Sequence, residues 1–145
     1  MNATEFVDLA IRLSSDPREA AQRSAVGRGY YGVFHAAREL IESCGVRFED
    51  SAQTHDKLWW CLDQSRDADV ATAARKLKSL RTARNNADYD LLDARFKGGS
   101  FTSIQLAEVK AIVDCLHAAQ SRLADIRPHV RAYARSLRIT VVGDD

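Results

Sequence analysis

Apolar residues recur at three-and-four spacing along almost the whole chain, and that rhythm limits the folds open to it more than any other feature. A 3.6-residue period gathers apolar side chains on one stripe of a helix, and a stripe leaves water only by packing against another helix. The two prolines, Pro17 and Pro128, stand where helices would begin, and β-branched alternation is nearly absent before Arg138-Ile139-Thr140-Val141-Val142. The expected class is therefore all-α, an antiparallel bundle of four to five helices with a short C-terminal helix. A chain of 145 residues suffices for one domain and buries roughly 70% of its unfolded surface.

The spacing predicts a first helix over about 4–14, with Thr4 as N-cap and Phe6, Leu9, Ala10 and Leu13 inward. A second helix opens with Asp16 as cap and Pro17 at its first position, buries Val26, Tyr30, Val33, Phe34, Ala37, Leu40, Ile41 and Cys44, and stops at Gly45. A third runs from about Ala52 to Gln64 with Leu58, Trp59, Cys61 and Leu62 inward, which puts Trp59 or Trp60 near a rim. The fourth starts near Asp67 or Asp69 and ends about Tyr89. Residues 93–101 read as a Gly-containing loop, and the fifth helix begins near Thr102 or Ser103 and extends toward Ile126. Pro128 opens a last helix to about Leu137, so the domain spans 1–137 and 138–145 form a short, frayed or partner-bound tail.

Hydrophobic residues are 46% and charged residues 28%, which excludes disordered, collagen-like and mucin-like chains. No apolar run is long enough to span a bilayer, and Glu5, Asp8 and Arg12 interrupt any signal-peptide core, so a soluble cytoplasmic protein is expected. Cys44, Cys61 and Cys115 are odd in number and far apart, as structural thiols would be. His35, His55, His117 and His129 are scattered, so neither a metal nor a cofactor is expected. With 21 basic and 20 acidic residues the chain is nearly neutral, yet basic residues gather at Arg75, Lys76, Lys78, Arg81 and Arg84, and at Arg122, Arg127, Arg131, Arg135 and Arg138. The second group is close to pure i+4 spacing, a stripe suited to phosphates, to an acidic partner, or to solvation alone.

The most unusual segment is Leu80-Arg81-Thr82-Ala83-Arg84-Asn85-Asn86-Ala87-Asp88-Tyr89-Asp90. On a helix Arg81, Asn85 and Asp88 share a strip, Arg84 stands one turn before Asp88, and Tyr89 lies beside Asn85. Charge-rich helix ends ordinarily serve solubility and dipole compensation. Paired asparagines are poor helix formers, however, and point to a further use.

Arg84-Asn85-Asn86-Ala87-Asp88-Tyr89-Asp90 resembles the R-N-x-A-D-Y signature of the HEPN domain family, and residues 23–37, from Arg23-Ser24 through Arg28, Tyr30-Tyr31 and Phe34-His35 to Ala37, are similar to its R-S-x-x-x-R-x-Y-Y-x-x-F-H-A-A stretch. With His55 and Leu58 opening the intervening helix, the resemblance covers about residues 3–126. It implies a small helical bundle, usually a homodimer. In many members an Arg-x(4–6)-His motif lines a cleft between subunits and cleaves RNA without metal, the Arg stabilising phosphorane charge and the His moving a proton. Here no His stands among the residues just after Arg84, 85–91, and Tyr89 takes that place. Arg28 and His35 form a second Arg-x6-His pair on one helical face, with Tyr31 between them.

The resemblance thus implies an RNA- or nucleotide-binding protein, extending to a metal-independent ribonuclease toxin. Arg84 would stabilise phosphate charge, Asn85 position a phosphate or ribose, Asp88 orient Arg84, and Tyr89 supply a hydroxyl, with Arg28, Tyr31, His35 and Arg81 on the substrate-binding wall. The implied partner is a nucleotidyltransferase-like antitoxin that modifies a tyrosine, for which Tyr89 is the candidate. The alternative is a catalytically inactive binding and dimerisation module acting through a protein partner.

Overall fold

A computed structural model describes residues 1–144 and shows six α-helices, α1 (Ala3–Ser14), α2 (Glu19–Ser43), α3 (Thr54–Asp63), α4 (Ala68–Tyr89), α5 (Gly99–Ala119) and α6 (Leu123–Ser136). Two short strands, β1 (Val46–Arg47) and β2 (Thr140–Val141), pair antiparallel with Val46 opposite Val141. The all-α class stands. Among the described residues no helix is long and apolar enough to cross a membrane. The chain divides into two compact units, one of Met1–His35 with Leu77–Val113, the other of Ala36–Lys76 with the segment from Asp114 onward.

In the first unit, α1 is capped by Asn2 rather than Thr4: the Asn2 side chain accepts from the Glu5 amide at 3.0 Å, and Glu5 accepts from the Asn2 amide at 2.6 Å. This reciprocal box satisfies two helix-end donors, which a cap at Thr4 would leave inside the helix. Ala3, Val7 and Ala10 are buried, while the expected Phe6, Leu9 and Leu13 are half-buried. The stripe is rotated because α1 crosses α2 at Gly32, where a Cβ would lie 2.8 Å from Val7 Cγ2. Pro17 precedes α2 instead of opening it. Asp16 Oδ1 accepts the Arg18 amide in a turn, and the Gln22 side chain donates to the Ser14 and Asp16 carbonyls, closing the connection.

The core of this unit joins Ala10, Ala25 and Leu106 in one cluster and Val26, Ala83, Ala87 and Phe96 in another. Phe96 belongs to a short 3-10 turn, Ala94–Lys97, in a stretch expected to be plain loop, and α5 begins at Gly99 rather than Thr102. Burial of Phe96, with Phe101 packed edge-on at 5.3 Å, orders this segment where composition alone suggests flexibility.

In the second unit, Leu58, Cys61 and Leu62 of α3 are buried, Trp59 is intermediate and Trp60 is the exposed rim tryptophan. Asp67 caps α4 by accepting the Asp69 and Val70 amides, each at 3.1 Å. The last helix starts at Leu123, after a 3-10 turn at Gln120–Arg122, and Pro128 lies inside it. It ends as a Schellman turn with Arg138 at φ 57°, the Ile139 amide reaching the Ala134 carbonyl and the Arg138 amide that of Arg135, both at 2.9 Å.

The tail beyond Leu137 is docked rather than frayed. Ile139 is buried, β2 pairs with β1, and the Val142 amide donates to the Gly45 carbonyl at 2.7 Å. Arg131, only 1% exposed, donates to the carbonyls of Cys44 at 3.0 Å, Val142 at 2.7 Å and Gly143 at 2.8 Å. Gly45 is required twice over. Its φ of 90° suits glycine, and a Cβ there would collide with Arg131 Nη1 and the Val142 carbonyl. Arg122 reaches back to Asp67 at 2.7 Å, which holds that carboxyl below the usual carboxylate range, and to Asp69 at 3.6 Å. Of the C-terminal arginine row only Arg131 is buried: Arg122 and Arg127 are half-buried and, with Arg131, hold the helix and tail in place, while Arg135 and Arg138 are exposed.

Candidate functional site

Tyr31 is where α2 and α4 of the first unit converge chemically. Arg84 Nη2 donates to the Tyr31 hydroxyl at 2.9 Å, and the Arg84 guanidinium lies 5.3 Å from the ring centroid. The Arg28 guanidinium stands 5.4 Å from the same centroid. One phenol ring thus carries two cations, a contact worth about 0.5–1 kcal/mol each where water has access.

Arg84 is held from two further sides. Its Nη1 donates to Asn85 Oδ1 at 3.0 Å, and its Nε lies 3.0 Å from Asp88 Oδ2, an ion pair without hydrogen-bond alignment. The i+4 placement read from the sequence brings Arg84 and Asp88 together, and the side chains are 20% and 38% exposed. Anchored guanidinium with some solvent access suits recognition of an anion, because little rotamer freedom remains to lose on binding.

His35 lies on the same face of α2. Its ring stacks on Phe6 of α1 at 4.9 Å and stands 6.3 Å from Tyr31. Arg28, Tyr31 and His35 accordingly form one continuous row, as the i+3 and i+7 spacing requires. Tyr89 departs from the group: it is 77% exposed at the end of α4, next to Leu91 and Leu92, which are 72% and 92% exposed. Asn85 is exposed and Arg81 intermediate, one turn before Arg84.

Two residues that shape the site were not among the sequence candidates. Phe6 read only as part of an apolar stripe. Arg23 opens the R-S-x-x-x-R stretch, yet its side chain serves the end of α4: it donates to the carbonyls of Ala87 at 3.0 Å, Asn86 at 3.2 Å, Asp90 at 2.9 Å and Asp93 at 3.3 Å. Glu19 braces it at 2.8 Å, and it covers the Phe96 ring at 4.6 Å. No basic residue occupies the last turn of α4, and Arg23 supplies that missing positive charge from α2. Its signal in the sequence was a basic residue on the inner face of a long helix. Among the described residues no group of three or more His, Cys, Asp or Glu side chains is arranged to hold a metal ion.

A comparison with known proteins adds one relative. An uncharacterized protein of the archaeon Methanocaldococcus jannaschii, MJ0992, is 32% identical over 126 residues, spanning 74% of this chain and 69% of its own. The two belong to one family. The family relationship covers most of both chains and brings no named activity with it. No family model matches the sequence, and no solved structure matches it.

Proposed function

We propose that this chain is a HEPN-like protein that binds RNA through the phosphate-facing cluster of Arg28, Tyr31, His35, Arg81, Arg84, Asn85 and Asp88. The observation that carries the reading is the pair of guanidiniums on Tyr31: Arg28 and Arg84 share one ring, while one carboxylate, Asp88, pairs with Arg84. The excess positive charge at a partly exposed site suits a phosphodiester, and the Asp88, Asn85 and Tyr31 contacts fix the Arg84 fork for it.

In the cleavage reaction this site would support, the ribose 2′-oxygen attacks phosphorus, the bond to the 5′-oxygen breaks, and a 2′,3′-cyclic phosphate and a 5′-hydroxyl result. Arg84 and Arg28 would stabilise charge on the phosphorane, and His35 would move a proton. The Tyr31 hydroxyl replaces that of Tyr89 as the one beside Arg84 in this scheme. A homodimer, and a nucleotidyltransferase-like antitoxin acting on the exposed Tyr89, complete the proposal.

The second reading, an inactive module acting through a protein partner, draws on the exposed Tyr89, Leu91 and Leu92 at the end of α4. One experiment separates the two: RNA binding and metal-free cleavage by the wild type, Arg28→Ala, Arg84→Ala and Tyr89→Phe, with helicity checked by circular dichroism. Salt-dependent binding lost in both arginine variants supports the RNA site, with cleavage as its catalytic form. Folded proteins that neither bind nor cut RNA would leave the partner-binding module.

A further inference from the structure

The aromatic residues beside the Arg84 cluster all lie in the first unit and differ in how far they reach water. Tyr30 and Phe34 are buried, and Phe34 meets Tyr31 and His35 edge-on at 6.2 and 5.3 Å, a buried ring bracing two partly exposed ones. Phe6, Tyr31 and His35 are each half-buried, and their planes lie within 24–37° of one another. Phe6 and His35 stack at 4.9 Å, which occupies one face of the Phe6 ring. Its other ring neighbour, Tyr31, is tilted at 6.4 Å, and among the described residues no second ring stacks on Phe6 and no cation stands over it. A part-exposed phenyl ring with one face unstacked, beside the guanidiniums that share Tyr31, suits a nucleobase whose phosphate is held alongside.

We propose that Phe6 is a base-stacking residue: one nucleobase of the bound strand extends the Phe6–His35 stack, and the shelf so formed prefers purines. The inference rests on the RNA reading of the Arg84 cluster and adds a base to a site argued so far from phosphate alone. Stacking strengthens with the area of overlap, and a bicyclic purine covers more of a phenyl face than a pyrimidine does. A base at the outer end of the stack displaces neither the His35 contact nor the hydrogen bond from Arg84 to Tyr31. The shelf is also set before a ligand arrives. At Gly32, α1 lies so close to α2 that an added Cβ would stand 3.6 Å from Phe6 Cβ, so the ring has little freedom left to lose on binding.

Titration of the full chain with three short oligomers of equal length and charge, oligoadenylate, oligouridylate and an abasic ribose-phosphate chain, tests the proposal by fluorescence anisotropy. The expected order of affinity is adenylate, then uridylate, then abasic, with adenylate about tenfold or more above abasic. Phe6→Leu, which keeps the apolar bulk and loses the π face, should bring adenylate down to the abasic level and leave abasic binding unchanged, with helicity retained. Phe6→Trp should restore the preference, a rescue that a purely structural role for Phe6 would not give. Arg84→Ala should weaken all three oligomers in proportion, because each presents the same phosphates. Equal affinity for the three oligomers overturns the stacking shelf and leaves the phosphate site standing, as does Phe6→Leu lowering all three alike or leaving adenylate unchanged. No binding of any oligomer overturns the phosphate site and the shelf together.

Discussion

Replacing Arg23 with Met should destabilise the protein by about 3–4 kcal/mol, because removing one side chain orphans a buried helix end. The four carbonyls it contacts are not equivalent. Asn86 and Asp90 keep a second donor, the amides of Asp90 at 3.0 Å and Asp93 at 3.2 Å, and the Asp93 contact at 3.3 Å is long. The Ala87 bond is the buried one, and leaving that acceptor unsatisfied costs about 1–3 kcal/mol. Charge-assisted bonds to Asn86 and Asp90 and the cation–π contact with Phe96 add about 1–2 kcal/mol, while the part-buried pair with Glu19, whose carboxylate keeps access to water, adds about 1. Met retains most of the apolar stem over Phe96, so the cavity contribution is small. Urea unfolding followed by circular dichroism gives the loss, and hydrogen exchange of residues 86–93 should show where it falls. Arg23→Lys should recover only part, since an ammonium lacks the planar fork. A loss below about 1 kcal/mol, or one no larger than that of Glu19→Gln, would refute the assignment of Arg23 as the clamp on α4.

Gly45→Ala forces a side chain into positive φ and against Arg131, so it should cost at least about 1–3 kcal/mol and expose the Val142 amide, which donates to Gly45, to faster hydrogen exchange. Burial pushes the Cys44 thiol up to about 11, against the opposing charges of Arg127 and Arg131, and pushes Cys61 up to about 12, with Cys44 adding to the shift. At about pH 8.5, where an unfolded thiol is half ionised, alkylation should therefore reach the part-exposed Cys115 first and spare Cys44 and Cys61 until the chain unfolds. The folded state keeps these two protons longer than the unfolded state does. Stability should thus be undiminished below about pH 8.5 and fall as pH climbs toward about 11–12, and a urea midpoint that rises over that window would contradict the burial of both thiols.

Helical periodicity and the i+3 and i+4 spacings determined much of the architecture before any tertiary contact was known. They fix which residues share a strip, so α4 and the row Arg28, Tyr31 and His35 were legible, as was the Arg84–Asp88 pair within a single helix. What one helix presents to another is a property of neither alone. The Tyr31 hydroxyl became an acceptor for Arg84 only when α2 met α4, and Tyr89, one position beyond Asp88, turned to solvent. Phe96 turned a glycine-bearing loop into ordered structure through burial that composition does not encode. The C-terminal arginines mark the limit most clearly: i+4 spacing places them on one helical face but does not say whether water or protein lies on that side. The tail returns to pair with β1, its carbonyls surround Arg131, and a residue type that favours the surface becomes almost fully buried. Local sequence sets helix and strip because those depend on neighbours a few residues apart, whereas burial and polar satisfaction depend on contacts dozens of residues away, which only the folded chain creates.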